Sequence, residues 1–330
     1  MRIIVVGLGS MGKRRIRLMR GFFPDHVICG VDSKEARRTE AAELFGIETA
    51  EDLSAAIESF KPEAAFVCTA PLAHAAIIKT LLTAGVSVFT EINLVSDGYE
   101  SNVALAKEKG AKLFLSATPL YRGELRWVEE HVKAQINPVC YRYHVGQYLP
   151  DWHPWENYKD FFVGDSRTGG VREIMGIELP WIESAFSKIV GFSAVSRKLT
   201  GLSIGYDDTL CLTLRHENGT VGSIMFDVAS RRAVRDLEVI GEGTYVHWNG
   251  SPTGLTHYDP ETKVEETISL YDSVMQDSRY SASIIENMYV DEMRAFFDHL
   301  AGKEARMHTF EEDGEIIKLM DAIEKEAKEA

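Results

Sequence analysis

The feature that most constrains this chain is a glycine-rich loop, Gly-Leu-Gly-Ser-Met-Gly, at residues 7–12. It directly follows the β-branched run Arg2–Val6 and opens a predicted helix, Ser10–Met19. In such a strand–loop–helix unit the first glycine makes a tight turn, the second leaves room for a pyrophosphate, and the third lets the helix pack closely. The helix N-terminus then offers free N–H groups to the phosphates. The loop therefore predicts a Rossmann domain that binds NAD(H) or NADP(H), and a turn that binds nothing is the alternative. The residues expected to hold the cofactor here are Gly7, Gly9, Ser10, Met11 and Gly12.

An aspartate, Asp32, ends the second predicted strand, at the interval after Gly12 where the dinucleotide fingerprint has an acidic residue. There a carboxylate binds the ribose 2′-hydroxyl and repels a 2′-phosphate, so we expect NAD as the cofactor. Two basic residues close by, Arg37 and Arg38, can neutralise a phosphate and leave NADP as the alternative. An aspartate that only caps a helix is the other interpretation of Asp32.

The first 120 residues alternate apolar runs with helical segments. Strands that alternate with helices of this length indicate βαβ units and a parallel sheet. Because the runs are apolar throughout, we expect central strands that are covered on both faces. We therefore predict an α/β Rossmann domain over residues 1–120. The segments after the first helix are Val27–Val31, Lys34–Leu44, Ala64–Cys68, Leu72–Ala84, Val86–Thr90 and Tyr99–Lys109.

The pattern changes in residues 121–330, where short alternating segments follow a predicted helix, Glu124–Lys133. Alternation of apolar and polar residues indicates strands with one buried face. Two helices, Ser283–Leu300 and Glu311–Glu324, then close the chain. We predict an α+β domain with a large, open, mainly antiparallel sheet. Its strand-like segments are Cys140–Tyr148, Ser193–Leu199, Thr209–His216, Val221–Asp227, Asp236–Glu242 and Thr244–Trp248.

Charge and cysteine content narrow the classes of partner. The formal net charge is −14, which argues against nucleic acid or an anionic membrane as a partner. The four cysteines lie far apart, without a Cys-x-x-Cys pair, so neither a disulfide framework nor a metal site is indicated. We see no signal peptide and no apolar run of the ~18 residues that a membrane span needs. We therefore expect a cytoplasmic protein.

Several segments, taken in order, resemble the Gfo/Idh/MocA family of oxidoreductases over essentially the whole chain. Cys68–His74 resembles the family's Ala-Thr-Pro-x-x-x-His segment, and Ala84–Glu91 resembles the strand that leads into its Glu-Lys-Pro motif. Gly169-Gly170 is similar to the glycine pair before its substrate-site helix, and Glu238–Thr244 to a strand–turn segment of its sheet domain.

The resemblance implies a two-domain enzyme that oxidises or reduces a hydroxyl-bearing carbon of a sugar, cyclitol or nucleotide sugar with NAD(P). It also implies a homodimer or homotetramer that associates through the open sheet face, where apolar residues would otherwise stay exposed. The further cofactor-binding residues that it implies are Thr69, Ala70, His74 and Glu91.

The catalytic motifs depart from those of the family. Ile92 stands where the catalytic lysine is usual, and Asn93 stands at the proline position. On the substrate-site helix, Ile174 takes the place of the aspartate and Glu178 that of the histidine. In relatives with adjacent His and Glu, Ile177 replaces the histidine and Glu178 matches the glutamate. Oxidation of an alcohol needs a base for the hydroxyl proton, and isoleucine cannot serve.

Glu178 is the first candidate for that base, if burial raises its pKa; a charge on a helix face, or an acid that holds a cation, is the alternative. The aromatic segment 146–158 supplies the second candidate, His153. Aromatic faces cover the C–H side of sugars while polar groups bind the hydroxyls, so this segment predicts a sugar-binding loop, with an aromatic packing loop as the alternative. The residues expected to contact the substrate are Tyr148, Trp152 and Trp155, with Tyr121 and Arg122 from the domain junction.

The sequence thus favours an NAD(P)-dependent oxidoreductase with unusual acid–base residues. A non-catalytic NAD-binding sensor or interaction protein is a second hypothesis, because the usual lysine, aspartate and histidine are all replaced. A lyase or glycosidase of the same fold that uses NAD transiently is a third hypothesis, and it would consume substrate without a net change in NADH.

Overall fold

Six parallel strands form one sheet of the protein in a computed structural model that describes residues 1–153, 157–281 and 283–329. The sheet order is β3-β2-β1-β4-β5-β6. The order reverses between β1 and β4, and α/β sheets bind ligands at such a switch point. The strands are β1 (Arg2–Val6), β2 (Val27–Val31), β3 (Glu48–Ala50), β4 (Ala64–Val67), β5 (Ser87–Thr90) and β6 (Leu113–Leu115). The helices that connect them are α1 (Ser10–Phe22), α2 (Glu35–Phe45), α3 (Leu53–Phe60), α4 (Pro71–Thr83) and α5 (Tyr99–Lys109).

The N-terminal unit comprises residues 1–116 and 290–314. The second segment lies within the part that the sequence assigned to the second domain. It contributes helix α8 (Asn287–Leu300), whose Phe296 ring packs against a row of three phenylalanines from β4, β5 and β6 at centroid distances of 5.3–5.6 Å. The sequence predicts a helix over Ser283–Leu300 but does not indicate which core it packs against. The three rings of the row are those of Phe66, Phe89 and Phe114.

The second unit, residues 117–289 with 315–330, is built on an eight-stranded sheet. The sheet order is β14-β13-β12-β11-β7-β10-β9-β8, and every neighbouring pair is antiparallel except β7 with β10. The strands are β7 (Cys140–Gly146), β8 (Ile189–Arg197), β9 (Thr209–His216), β10 (Val221–Asp227), β11 (Val234–Gly241), β12 (Thr244–Trp248), β13 (Leu255–Asp259) and β14 (Val264–Thr267). The remaining α-helices are α6 (Gly123–Lys133), α7 (Gly170–Phe186) and α9 (Phe310–Glu329), of which α9 begins in residues of the N-terminal unit.

One face of this sheet is buried and the other is open. In β7, Tyr141 and Tyr143 are fully buried while Arg142 between them is exposed. Strands β9 and β10 alternate in the same way, and α7 packs on their buried face. The predicted fold class, a Rossmann domain followed by an α+β domain with a large open sheet, is therefore confirmed.

Within the described ranges, none of the helices is long and apolar enough to cross a membrane. The same part of the chain contains no group of three or more His, Cys, Asp or Glu residues arranged to hold a metal ion.

Candidate functional site

The loops that follow β1 and β4 touch at the switch point of the parallel sheet. Gly7 has a φ of +92°, and a Cβ atom there would lie 2.7 Å from the carbonyl oxygen of Cys68. A Cβ atom on Gly12 would lie 1.9 Å from the carbonyl oxygen of Gly7. Gly9 differs, because the nearest atom to its Cβ position is a guanidinium nitrogen of Arg37 at 3.8 Å. The first and third glycines are thus required by packing, whereas a Cβ atom at the second would make only ordinary van der Waals contact with the Arg37 side chain.

Helix α1 has an unpaired N-terminus at the second glycine of the loop. Its N-cap, Gly9, provides no side-chain cap. Among the described residues, no acceptor pairs with the backbone N–H groups of Ser10, Met11 and Gly12. Free N–H groups at the positive end of a helix form a binding site for a phosphate group. The glycine loop therefore fits the pyrophosphate of a dinucleotide.

Asp32 follows β2 and holds the glycine loop in place. One carboxylate oxygen accepts the N–H of Leu8 at 2.8 Å, and the other accepts the N–H of Lys34 at 2.9 Å. Helix α2 has Lys34 as its N-cap, so Asp32 is not that cap. Each carboxylate oxygen has a second lone pair, which leaves acceptors for a ribose hydroxyl.

Two arginines near Asp32 have different roles. Arg37 Nη1 lies 3.6 Å from the Asp32 carboxylate and beside Gly9, with its side chain 39% exposed. Arg38 Nη1 donates to the carbonyl oxygens of Asp32 and Ser33 at 2.8 and 3.0 Å. Arg37 is therefore the basic side chain that borders the glycine loop, whereas Arg38 is committed to the backbone.

The loop after β4 contributes Thr69, Ala70 and the buried His74. The Thr69 hydroxyl oxygen is enclosed and has no hydrogen-bond partner among the described residues. The His74 ring contacts the carbonyl oxygen of Thr69 through Nε2 at 2.9 Å and the side-chain oxygen of Asn93 through Nδ1 at 2.7 Å. Burial lowers the pKa of His74, so its ring is neutral. His74 thus shapes the Thr69 loop, and Ala70 is exposed as the N-cap of α4.

Glu91, expected to bind cofactor, belongs to a buried ion-pair cluster inside the N-terminal unit. Arg15 Nε donates to Glu91 at 2.6 Å, and Arg15 Nη2 donates to Glu292 of α8 at 2.6 Å. The second oxygen of Glu292 accepts the hydroxyl of Ser116 at 2.9 Å. Burial raises the pKa of Glu292. The Arg15 cluster ties α1 and α8 to the end of β5, and the part-exposed Ile92 follows Glu91.

In the second unit, three segments meet at the start of α7. A Cβ atom on Gly169 would lie 2.8 Å from the Tyr206 ring. The Tyr206 hydroxyl accepts the N–H of Gly170 at 2.9 Å and donates to the carbonyl oxygen of Val163 at 2.7 Å. A Cβ atom on Gly170 would lie 3.4 Å from the ring of Trp152. Gly169 therefore lets the Tyr206 ring approach the helix N-terminus, and Gly170 makes room for Val228, whose Cγ1 would lie 2.8 Å from a Cβ atom there, with the Trp152 ring alongside.

The predicted sugar-binding segment is only partly brought to that place. Trp152 packs beside Gly170, and its indole N–H donates to the carbonyl oxygen of Gln147 at 3.0 Å. The Tyr148 ring lies under the guanidinium of Arg231 at 3.6 Å. The His153 ring packs against that of Phe161, with centroids 4.5 Å apart. Trp155 lies outside the described residues.

Glu178 lies in a closed polar cluster. One carboxylate oxygen accepts the hydroxyl of Tyr143 at 2.8 Å and the indole N–H of Trp181 at 2.6 Å. The other lies 2.7 Å from Arg235 Nη2, an ion pair without good hydrogen-bond geometry. Burial raises the pKa of Tyr143. This is an acid that holds a cation, and its fully buried side chain has both oxygens occupied. The base role of Glu178 remains a prediction, and this geometry does not favour it.

The two junction residues are also buried. Arg122 donates through Nε and Nη2 to the Glu124 carboxylate at 3.1 and 3.2 Å, and its guanidinium lies over the Trp248 ring at 4.6 Å. Tyr121 is 7% exposed. The contacts of Arg122 with Glu124 and Trp248 thus give it a structural role at the start of α6.

The sequence analysis did not select Glu173, which lies in the first turn of α7. Its Oε2 atom is enclosed and has no hydrogen-bond partner among the described residues. Burial raises the pKa of this carboxyl to about 8. The available signal was a lone acid beside Ile174, one residue before the position where the family has its aspartate.

Comparisons with known proteins agree with this description. Residues 1–116 match the Gfo/Idh/MocA family model, described as an oxidoreductase family with an NAD-binding Rossmann fold. None of the curated protein sequences matches the chain. Among solved structures, an oxidoreductase from Agrobacterium radiobacter in complex with NAD+, L-tartaric acid and magnesium has a TM-score of 0.81 at 14% identity, over 99% of this chain and 96% of that one.

Two further structures have the same fold. Levoglucosan dehydrogenase, in complex with NADH and levoglucosan, has a TM-score of 0.80 at 16% identity, over 100% of this chain and 97% of that one. GenD2 from gentamicin A biosynthesis, in complex with NAD, has a TM-score of 0.77 at 18% identity, over 99% and 94%. At these identities the structures establish the fold alone. Residues 1–116 are thus similar to the NAD-binding Rossmann domain of the Gfo/Idh/MocA oxidoreductase family.

Proposed function

We propose that this protein is an NAD-dependent oxidoreductase that acts on a hydroxyl-bearing carbon of a sugar, cyclitol or nucleotide sugar. The observation that carries the proposal is the unpaired N-terminus of α1 at the glycine loop, which the Asp32 carboxylate holds through the N–H of Leu8. Levoglucosan dehydrogenase, which shares the fold, was solved with levoglucosan, and this supports a sugar-like substrate.

The residues present fit NAD. The N–H groups of Ser10, Met11 and Gly12 would bind the pyrophosphate, and Asp32 would accept a hydrogen bond from the adenosine ribose. When bound, NAD+ supplies the acceptor for a hydride. The neighbouring Arg37 offers a charge partner to a 2′-phosphate, so weaker use of NADP is part of the proposal.

In the second unit, Tyr148 and Trp152 would cover the apolar face of the substrate. Of the two, Trp152 lies beside the glycine pair at the start of α7. His153 stays a weaker candidate for proton transfer, because its ring packs on Phe161.

We also propose that the open sheet face joins copies of this chain in a homodimer or homotetramer. Ile240, Cys140 and Val221 are paired in register across three neighbouring strands, and all three are exposed. An apolar row on an open sheet favours burial against a second copy. Analytical ultracentrifugation of the Val221→Glu variant would test this, and a sedimentation coefficient equal to that of the wild type would contradict it. The location in the cytoplasm stays a prediction.

The experiment for the enzymatic proposal is a turnover screen of the purified protein. NAD+ would be offered with hexoses, cyclitols and nucleotide sugars, and the absorbance of reduced nicotinamide would be followed. We expect NADH formation with at least one of them. The Gly9→Ala variant, which fills the cofactor space, is the control that must lose this signal.

A second candidate function is a non-catalytic NAD-binding sensor. Ile92 and Ile174 occupy positions where the family has proton-transfer residues, and Glu178 is held by Arg235. Tight NADH binding without turnover of any compound would favour this candidate. Consumption of substrate without a net change in NADH would instead favour a lyase or glycosidase.

A further inference from the structure

We propose that Glu173 is the residue that exchanges the hydroxyl proton with the substrate. The inference rests on the proposed oxidoreductase function and assigns its missing acid–base group. Glu173 lies on the substrate-site helix one residue before Ile174, which takes the place of the family's aspartate.

The first observation is the pattern of exposure along α7. From Gly170 to Ile182, a stretch that the structure describes in full, every residue is buried except Glu173 and Ile177. Residues four positions apart lie on one face of a helix. A single stripe of this buried helix therefore reaches solvent, and Glu173 is its only group able to carry a proton.

The second observation is the environment of the carboxyl group. Oε2 of Glu173 is enclosed, and within the described ranges no hydrogen bond or ion pair engages it. The neighbouring arginine, Arg172, is directed elsewhere and pairs with Asp321 and Glu324 of α9 at 2.7 and 3.0 Å. A carboxyl group left without a partner in a partly buried position is a common feature of acid–base residues.

Tyr206 is the ionisable group that interacts electrostatically with Glu173. Its hydroxyl is already bonded to the N–H of Gly170 and the carbonyl of Val163, and burial raises its pKa to about 12. Tyr206 therefore stays neutral near pH 7 and does not compete for the proton. Burial alone raises the pKa of Glu173 to about 8, close to the pH at which an acid–base catalyst works best.

The other candidates in the second unit are less suited. Glu178 is fully buried and bound by Tyr143, Trp181 and Arg235. Ile174 has no proton to exchange. Trp152 lies beside Gly170, three residues before Glu173, so the predicted sugar-binding loop and the Glu173 turn are neighbours within one unit.

The step balances with NAD+ as the oxidant. The O–H bond of the substrate breaks, and its proton moves to the Glu173 carboxylate. The C–H electron pair of the same carbon leaves as a hydride and a C=O bond forms; bound NAD+ would supply the acceptor for that hydride and its two electrons. The proton on Glu173 then passes to solvent through the part-exposed side of this residue. In the reductive direction, protonated Glu173 donates to the carbonyl oxygen.

The test compares Glu173→Gln with Glu183→Gln, a control on the same helix. Glu183 is half-buried and accepts the N–H of Ile189, a bond that glutamine retains. With the substrate found in the turnover screen, we expect Glu173→Gln to lower kcat by roughly 100-fold or more, the usual effect of an acid–base residue. The affinity for NADH should stay within about twofold of the wild type, and Glu183→Gln should keep wild-type turnover.

Two readouts separate chemistry from structure. In the wild type, kcat/KM for oxidation should rise with pH and level off above about 8, and this dependence should vanish in Glu173→Gln. In Glu173→Ala, added formate should restore part of the lost rate, because a small carboxylate can enter the vacated space. A purely structural role would give neither result.

Each outcome is decisive. Wild-type turnover that Glu173→Gln leaves intact overturns the role of Glu173 while the proposed function stands. If the wild type binds NADH but turns over no hexose, cyclitol or nucleotide sugar, both the role of Glu173 and the proposed function are contradicted. Infrared titration adds a readout independent of activity: a carboxyl band that titrates near pH 8 in the wild type and is missing in Glu173→Gln supports the proposal, and its absence from the wild type contradicts it.

Discussion

The side-chain oxygen of Asn93 lies 2.7 Å from Nδ1 of His74, and both side chains are buried in the N-terminal unit. Asn93 occupies the proline position of the Glu-Lys-Pro motif, and His74 matches the histidine of a separate family segment. Because burial lowers the pKa of His74, its neutral ring has one N–H, which Nε2 donates to the Thr69 carbonyl. Nδ1 then accepts a hydrogen bond. The side-chain amide of Asn93 donates that bond when its nitrogen, rather than its oxygen, faces the ring.

Removal of this amide should destabilise the protein. We expect Asn93→Ala to lower the free energy of unfolding by about 1–3 kcal/mol, the cost of a buried group left without its partner. Asn137→Ala is the control, because Asn137 bonds to Glu242 at the surface, and its change should stay within about 0.5 kcal/mol. Urea unfolding measures both. Equal stability of the Asn93→Ala variant and the wild type would contradict the assignment.

The sheet of the N-terminal unit could be predicted because its central strands are apolar throughout. Strand β3 was not predicted from the sequence, because it is three residues long and carries polar side chains. Strands β13 and β14 escaped for a related reason: they lie at a sheet edge, where β14 is fully exposed and shows no alternation. Alternation of apolar and polar residues indicates which side chains of a strand are buried, and a strand near a sheet edge buries few of them.

The cofactor side of the site could be predicted, since a glycine loop between a strand and a helix is a local constraint. The substrate side could not, because burial and partners there come from distant segments. Arg235 on β11 occupies Glu178, and no spacing in the sequence relates the two residues. Glu173 differs from the exposed acids of the chain only in its surroundings, which the sequence does not display.

Alanine at two positions of the glycine loop should separate folding from cofactor binding. Gly9 has an ordinary φ of −73°, and the nearest atom to its Cβ position is an Arg37 guanidinium nitrogen at 3.8 Å, so Gly9→Ala should fold normally. The new methyl group enters the space for the pyrophosphate, and we expect NADH affinity to fall by roughly tenfold or more. Gly12→Ala places a methyl group on the Gly7 carbonyl and should cost about 1–3 kcal/mol of stability or more. Fluorescence titration with NADH and thermal unfolding measure the pair, and the same loss of stability in both variants would contradict the distinction.

The buried ion pairs of Arg15 should dominate the stability of the N-terminal unit. Arg15→Ala leaves Glu91 and Glu292 without their cation, so we expect a loss of about 3–5 kcal/mol. Lys13→Ala, two residues earlier on the same helix, breaks only a surface pair with Glu40, worth about 1 kcal/mol or less. Adding Glu292→Gln to Arg15→Ala should recover part of the loss, because one uncompensated charge disappears. Urea unfolding measures the free energy of unfolding of each variant. If the losses of the two single variants simply add in the double variant, the charges are not coupled.

The side chain of Arg37 should set the tolerance for NADP. Because its guanidinium lies beside Gly9 and 3.6 Å from Asp32, Arg37→Ala removes the partner of a 2′-phosphate and leaves the ribose acceptor intact. We expect NADPH affinity to fall by about tenfold, as for loss of one charge-assisted contact, while NADH affinity changes little. Parallel titrations with the two cofactors measure this. A matching fall in NADH affinity would mean that Arg37 acts through the shape of the loop.

The raised pKa of Glu173 should also appear as a pH dependence of stability. An ordinary glutamate has a pKa of 4.5, whereas burial raises that of Glu173 to about 8. Between these values the folded protein keeps a proton that the unfolded chain has released, so stability falls as pH rises. The contribution is fully present below about pH 4.5 and lost by about pH 8, with a slope of at most ~1.4 kcal/mol per pH unit. Glu173→Gln has no such term, so its stability relative to the wild type should increase from pH 5 to pH 8 and stay constant above. Urea unfolding at each pH measures the difference in the free energy of unfolding between the variant and the wild type, in which the contributions of all other titrating groups cancel. A difference that does not change with pH would show that Glu173 ionises like a surface carboxylate.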